Sequence, residues 1–463
     1  MTEQLKLKLN DSKATRWGAL VIVAFTMMAA YYVNDVVAPL KTMLETDLAW
    51  SSSVFGFFTG GYSFLNVFFL MLIWGGLILD RFGIRFTGKL ATILMVGGTA
   101  LEYYAMTGLA GADATLFGIN EIFGYKTGVF VAFAGYSIFG VGAEVAGITV
   151  SKIIAKWFKG KELATAMGVQ VALARIGSQA GYAVAIPLAR AFGISTPVLL
   201  GLVLLLGGMI AFFIFAVMDK KLDKQMEAAA IAAGTEDEEE KFSFKDVKNI
   251  LVNPGFWLIA LLCVLFYSCV FPFQKFASEL MIIKYGINEN VAGTFAGLPA
   301  LGALILTPVF GGFIDKRGKS ASIMLLGSAM LICVHFIYAI PDINYWLVAI
   351  VLMIILGIAF SLVPSAMWPA VAKIFPVSQL GTAYALIFFI QNIGLWGIPT
   401  LIGWVLDAYC ISGKKPDGTN MYDYTVPMCI FTGIACLSLI VALLLKKADK
   451  KYGYKLEEPN IQK

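Results

Sequence analysis

Apolar runs of about twenty residues or more, long enough to span a bilayer as helices, recur along almost the whole chain. They lie near 17–40, 52–79, 88–110, 126–156, 161–190 and 195–218, then near 255–284, 290–314, 320–340, 344–374, 378–408 and 424–446. Only 14% of the residues are charged and 59% are hydrophobic, whereas a soluble domain carries roughly a quarter charged residues. The pattern predicts an all-α membrane protein of twelve spans. A polar stretch at 219–254, with acidic residues at 236–240 followed by Lys241, Lys245 and Lys248, divides it. The expected units are a six-helix bundle over 1–218, a linker over 219–254, and a second six-helix bundle with a tail over 255–463.

With twelve spans, the termini and every even-to-odd connection share one side of the membrane. That side holds 27 of the 35 Lys and Arg. The other side holds Lys41, Lys126, Arg190, Lys284, Lys414 and Lys415, and Arg175 and Lys275 lie within spans. This asymmetry puts both termini and the linker in the cytoplasm. Residues 1–17 are polar and lack a signal-peptide core with a cleavage site, so the first span is expected to be its own insertion signal. No dileucine-type sorting signal stands out there, which favours a cell membrane over a lysosomal one.

Cys263, Cys269, Cys333, Cys410, Cys429 and Cys436 form no CxxC pair, and His335 is the sole histidine. A metal site and a cofactor are therefore not expected. Cys410 and Cys429 bracket one polar loop, but free thiols are the expectation. No nucleophile with a base, metal cluster or phosphate-binding glycine loop occurs at plausible spacing, so an enzyme is not expected. A receptor or scaffold that binds without cycling is the remaining non-transport reading, and no sizeable soluble signalling domain accompanies it.

The chain repeats itself. Gly76-Leu77-Ile78-Leu79-Asp80-Arg81-Phe82-Gly83 recurs as Gly311-Gly312-Phe313-Ile314-Asp315-Lys316-Arg317-Gly318, at an offset of 235. Glu162-Leu163-Ala164-Thr165-Ala166 and Arg175-Ile176-Gly177 match Gln379-Leu380-Gly381-Thr382-Ala383 and Asn392-Ile393-Gly394, at an offset of 217. The halves are thus related by parallel duplication. The repeated Gly-x-x-x-Asp-Arg-x-Gly resembles the signature loop of the major facilitator superfamily. Gly76, Asp80, Arg81, Gly83, Arg85, Asp315 and Arg317 are the expected latch residues, with Gly76 letting helices approach and Asp80 accepting hydrogen bonds from a neighbouring helix end.

Further stretches resemble one branch, the lysosomal dipeptide transporter family and its bacterial relatives. They are Tyr62-Ser63 with Asn66, Asp80-Arg81-Phe82-Gly83-Ile84-Arg85, Trp157-Phe158-Lys159-Gly160-Lys161-Glu162-Leu163, Ala174-Arg175-Ile176-Gly177-Ser178, Val270-Phe271-Pro272-Phe273 and Gln391-Asn392-Ile393-Gly394. The segments 108–126 and 412–424 are longer than in that family. This sets aside docking of the glycosylated accessory subunit that the lysosomal member uses, and the chain is expected to act as a monomer.

Ionisable residues inside spans cost at least about 2.5 kcal/mol each on insertion scales. Glu144 lies thirteen residues before Trp157 and Arg175 fourteen after Lys161, which puts both about 20 Å above one cytoplasmic turn. A structural ion pair is one reading. At offset 217, however, their counterparts are Ser361 and Asn392, so the scaffold itself does not require charge there. A zwitterion such as a dipeptide needs an acid for its ammonium and a fork of donors for its carboxylate. The resemblance implies the same: residues matching Glu144 and Arg175 bind the two ends of the peptide. Tyr32, Tyr62, Asn66, Gln170, Phe271, Phe273, Trp368, Gln391 and Asn392 are candidate cavity walls. Asp35 is a candidate outer-side acid, with interfacial solvation its alternative. Snorkelling explains Lys275, and Glu102 and His335 are lone groups, by default satisfied buried polar groups.

The expected function is transport of small zwitterions, dipeptides first, by alternating access. The resemblance implies a facilitative uniporter; the alternative is a proton- or sodium-coupled carrier for an organic anion or amino acid. The bilayer and the solute are the partners, and nucleic acid is not.

Overall fold

A computed structural model describes residues 8–111, 114–158, 161–233, 244–415 and 417–459. Lys159, Gly160 and the acidic run at 236–240 with Lys241 lie outside the described residues. The first half contains α1 (Lys13–Val36), α2 (Lys41–Leu48), α3 (Ser52–Phe68), α4 (Met71–Thr107), α5 (Thr127–Trp157), α6 (Leu163–Phe192) and α7 (Thr196–Ala233). After α8 (Phe244–Leu251) come α9 (Pro254–Tyr285), α10 (Glu289–Ala296), α11 (Leu298–Arg317), α12 (Ser320–Ala339), α13 (Trp346–Ile374), α14 (Val377–Tyr409) and α15 (Thr425–Tyr452). Two small antiparallel hairpins occupy the long loops, β1 (Glu121–Ile122) with β2 (Tyr125–Lys126) and β3 (Ile411–Lys414) with β4 (Asn420–Tyr422).

Length and composition alone do not reproduce twelve spans. Among the described residues nine helices are long and apolar enough to cross a membrane, and α3 with α4 passes as one pair bent by 58°. α6 falls short because Gln170, Arg175, Ser178 and Gln179 interrupt it. The expected second span at 52–79 breaks at Phe69 and Leu70, where Leu70 has φ 53°. α4 then runs through the signature segment with one non-helical residue, Gly83, at φ 75°. Its repeat counterpart Gly318 has φ 72°, so the duplication extends to a backbone conformation that glycine adopts readily. The linker is partly helical: α7 continues to Ala233, and α8 precedes the second half.

Without a hydrophobic driving force between helices in lipid, small residues set how closely they approach. A Cβ on Gly76 would meet nothing within 4 Å, whereas one on Gly75 would lie 2.5 Å from Val145 Cγ2. The close approach expected of Gly76 therefore belongs to its neighbour, because Gly76 faces a cavity. Deeper in the same interface, a Cβ on Gly135 would lie 2.6 Å from the Gly98 carbonyl oxygen and 2.8 Å from the Glu102 nitrogen. Gly135→Leu is expected to destabilise the first half by about 1–3 kcal/mol or more through overpacking. Thermal unfolding of the purified protein checks this, with Gly76→Ala as the control that leaves the melting temperature unchanged.

Candidate substrate-binding site

A cavity of about 1120 Å³ lies between the halves. Its walls follow helical spacing on most contributing helices, and α14 adds the adjacent Ala385 and Leu386. Met27, Ala30, Tyr31 and Asn34 face it from α1, Tyr267, Phe271 and Lys275 from α9, and Tyr384, Phe388, Gln391, Leu395 and Pro399 from α14. These spacings of three and four residues keep side chains on one side of a helix.

Glu144 on α5 and Arg175 on α6 both line this space. The Tyr62 hydroxyl donates to Glu144 Oε1 at 3.1 Å. The Arg175 guanidinium carbon sits 5.5 Å from the Tyr31 ring centroid and 4.8 Å from that of Phe360, so aromatic faces support its charge. Among the described residues no ion pair joins Arg175 to Glu144 or to any other acid. The structural pair is thus unmade in this conformation, and a carboxylate and a guanidinium face the cavity separately.

Of the expected wall residues, Tyr62, Gln170, Phe271, Trp368 and Gln391 line the cavity with Glu144 and Arg175. The other four do not. Tyr32 is buried and donates to the Pro197 carbonyl at 3.2 Å. Asn66 is buried with neither side-chain polar atom hydrogen-bonded. Phe273 packs against His335 and Phe431, and Asn392 Nδ2 donates to the Phe388 carbonyl at 2.9 Å. Tyr31, Asn34, Tyr267, Tyr384, Phe388 and Lys275 belong to the wall and were not expected there.

Lys275 does not snorkel. Its ammonium is buried, donating to the Asn34 carbonyl at 2.6 Å and to Asp35 Oδ1 at 3.2 Å. Asp35 is buried as well, accepting from Ser178 Oγ at 2.6 Å and Asn34 Nδ2 at 2.8 Å, so interfacial solvation does not describe it. This cluster joins the halves at one end of the cavity. Beyond it, Lys41 pairs with Glu279, Ser53 N donates to Asp407 Oδ2 at 2.6 Å, and Arg190 bonds Asn290 and Glu289. All of these ties cross from the first half to the second.

The opposite end is open. Gly76, Asp80, Ser151, Thr382 and Val247 of α8 line its mouth. Here three ion pairs among the described residues lie within the first half: Lys152 to Asp80 at 3.0 Å, Arg85 to Asp223 at 2.8 Å, and Lys156 to the buried Asp219 at 2.8 Å. Arg81 lies over Phe82, and Asp315 and Arg317 end α11. Lys161 donates to Asp11 Oδ1 at 2.9 Å and holds that carboxyl below the usual range. The signature segment therefore rims the open mouth.

Glu102 is buried with both carboxylate oxygens unpartnered, whereas His335 Nε2 meets the Cys269 carbonyl at 3.0 Å. Cys410 and Cys429 are free thiols. Among the described residues no cluster could hold a metal ion.

Residues 20–399 and 276–458 match the family described as Major Facilitator Superfamily. The chain belongs to the Major Facilitator Superfamily. It is 29% identical over 454 residues to the lysosomal dipeptide transporter MFSD1 of Homo sapiens, covering 95% of this chain and 88% of that one. It is 26% identical over 441 residues to the protein of that name from Danio rerio, covering 93% and 86%. The nucleoside transporter NupG, solved as a mutant, superposes with a TM-score of 0.68 at 12% identity over 92% of this chain and 98% of that one. A peptide transporter POT mutant with sulfate gives 0.67 at 14% identity over 95% of both chains. At such identities the two structures speak to the fold alone. This superfamily member is a multi-pass membrane transporter and not an enzyme.

Proposed function

We propose that this transporter carries dipeptides by alternating access as a facilitative uniporter, with two six-helix halves rocking about the central cavity. One observation carries the reading: Glu144 and Arg175 face the cavity as opposite, mutually unpaired charges. A dipeptide satisfies both, its ammonium on Glu144 and its carboxylate on the planar fork of Arg175. Tyr62 orients the acid, and Gln170, Gln391, Phe271 and Trp368 meet the peptide group and side chains. The name of the curated relatives supports the same substrate class.

Lys and Arg accumulate at the open end, so that end is cytoplasmic, both termini lie there, and this conformation faces inward. The lysosomal name of the relatives favours a lysosomal membrane over the cell membrane expected from the N-terminus. The topology is the same in either.

The test is dipeptide uptake into proteoliposomes with and without an imposed pH gradient. Saturable uptake that ignores the gradient is expected; uptake of organic acids in place of dipeptides would sink the reading, and gradient-driven accumulation would replace the uniporter with a proton-coupled carrier. Tyr62→Phe removes one hydrogen bond from Glu144, a net effect of about 1 kcal/mol. The half-saturation concentration for dipeptide should rise about fivefold, with the melting temperature nearly unchanged.

A further inference from the structure

The longer-than-expected segment between α4 and α5 is built as two consecutive tight turns of one pattern. Leu116-Phe117-Gly118-Ile119 closes through paired backbone hydrogen bonds between Leu116 and Ile119, and Ile122-Phe123-Gly124-Tyr125 closes through the β1–β2 pairing. In each, both central residues have positive φ, 54° and 79° in the first and 52° and 81° in the second. Two-residue hairpin turns of this kind favour Asn-Gly, and a bulky aromatic at positive φ is strained. Here phenylalanine occupies the strained position twice. Neither ring is held by the protein core: Phe117 is 95% exposed and Phe123 88%.

The base of the hairpin, by contrast, is fixed. Tyr125 stacks on Phe57 at 4.1 Å between ring centroids, and Thr127 Oγ1 donates to the Ile119 carbonyl at 2.8 Å. α5 is 31 residues long, about 46 Å, against a hydrocarbon core of about 30 Å. Its first turn therefore stands at headgroup level when the helix is centred. The Phe123 ring reaches back to within 5.9 Å of Phe130 in that turn. From Phe130 aromatic contacts continue through Phe133 and Phe64 to the half-exposed Phe68 on the bundle wall. The exposed Phe123 tip is thus continuous with the membrane-facing surface, and Phe117 is exposed on the preceding turn.

We propose that this tandem Phe-Gly hairpin is an interfacial anchor that inserts Phe117 and Phe123 into the leaflet at the closed end of the transporter. Contact with lipid offsets the backbone strain of both turns. The segment from Ala114 to Lys126 carries one acid and one base, Glu121 and Lys126, so the contact is apolar and does not select anionic headgroups.

Phe117→Trp and Phe123→Trp, reconstituted separately, test this through the emission each adds to the parent chain. The added emission should be lost with phospholipids brominated near the top of the acyl chain and retained with aqueous acrylamide. Quenching by acrylamide alone overturns the anchor, and so does protection from both quenchers, which means that a second copy covers the rings. The Phe117→Asn, Phe123→Asn double variant supplies the second measurement. In detergent it should melt at or above the parent temperature, because Asn-Gly suits both turns, and it should gain less than the parent when phospholipid is added. A lower melting temperature in detergent would mean that the rings pack on protein, against the proposal.

Discussion

Arg175→Ala is expected to weaken saturable dipeptide uptake at least tenfold while leaving the transporter folded. A hydrogen bond to a charged group contributes about 1.5–3 kcal/mol, so affinity should fall by about ten- to a hundredfold or more. The guanidinium makes no ion pair among the described residues, and its contacts with Tyr31 and Phe360 are through ring faces. Its loss therefore leaves no newly unpaired buried acid. A structural Glu144–Arg175 pair predicts the reverse, a destabilisation of about 3–5 kcal/mol from a stranded charge. Thermal unfolding separates the two readings before any transport is measured. Glu144→Gln keeps an acceptor for Tyr62 and removes the charge, so it should lose discrimination between a free dipeptide and its N-acetylated form. If Glu144→Gln still prefers the free amine as strongly as the parent, the ammonium does not sit on Glu144.

The charges at the centre were legible in the sequence because intramembrane ionisable groups are rare and the repeat gives each an internal control in Ser361 and Asn392. The wall was legible only in part. Tyr31 lines the cavity where Tyr32 is expected, and of the expected neighbours Gln391 and Asn392, and Phe271 and Phe273, only Gln391 and Phe271 face it. A step of one residue turns a helix by 100°, so neighbouring residues face different ways. The internal phase was available: Tyr31 and Asn34 share a face, as do Phe388, Gln391 and Leu395. The hydrophobic pattern did not reveal it, because in a bundle the cavity face and the packing face are both apolar. Lys275 was misread for another reason. Depth along a helix marks it as near the outer end, but its partners Asn34 and Asp35 come from the other half, a relation no local pattern carries. Gly75 and Gly76 make the same point, since which one a neighbour touches depends on Val145, seventy residues on.

Lys41→Met should shift the conformational balance of the transporter by about a hundredfold toward opening at the end now closed. Lys41 and Glu279 pair across the halves with side chains 1% and 0% exposed, and the Tyr424 hydroxyl also donates to Glu279. The Lys415 ammonium, at 3.8 Å from Glu279, is the remaining cation. Removing one partner of a buried pair costs about 3–5 kcal/mol when the other charge is stranded, and Lys415 keeps a cation beside Glu279, which puts the cost at the lower end of that range. That cost falls on the closed arrangement alone, since separating the halves lets water reach Glu279. A difference of 1.4 kcal/mol is a factor of about ten, which gives the stated shift. Spin labels at Asp47 and Tyr409, both exposed at that end, should report longer distances in Lys41→Met once the exposed Cys333, Cys429 and Cys436 are replaced by serine. Exchange of dipeptide should slow, because each cycle must re-form the closed end. Lys41→Met with Glu279→Leu removes both charges and should restore the short distance and much of the rate. Distances that stay short in Lys41→Met would show that the cluster of Lys275, Asn34 and Asp35 holds this end closed without the outer pair.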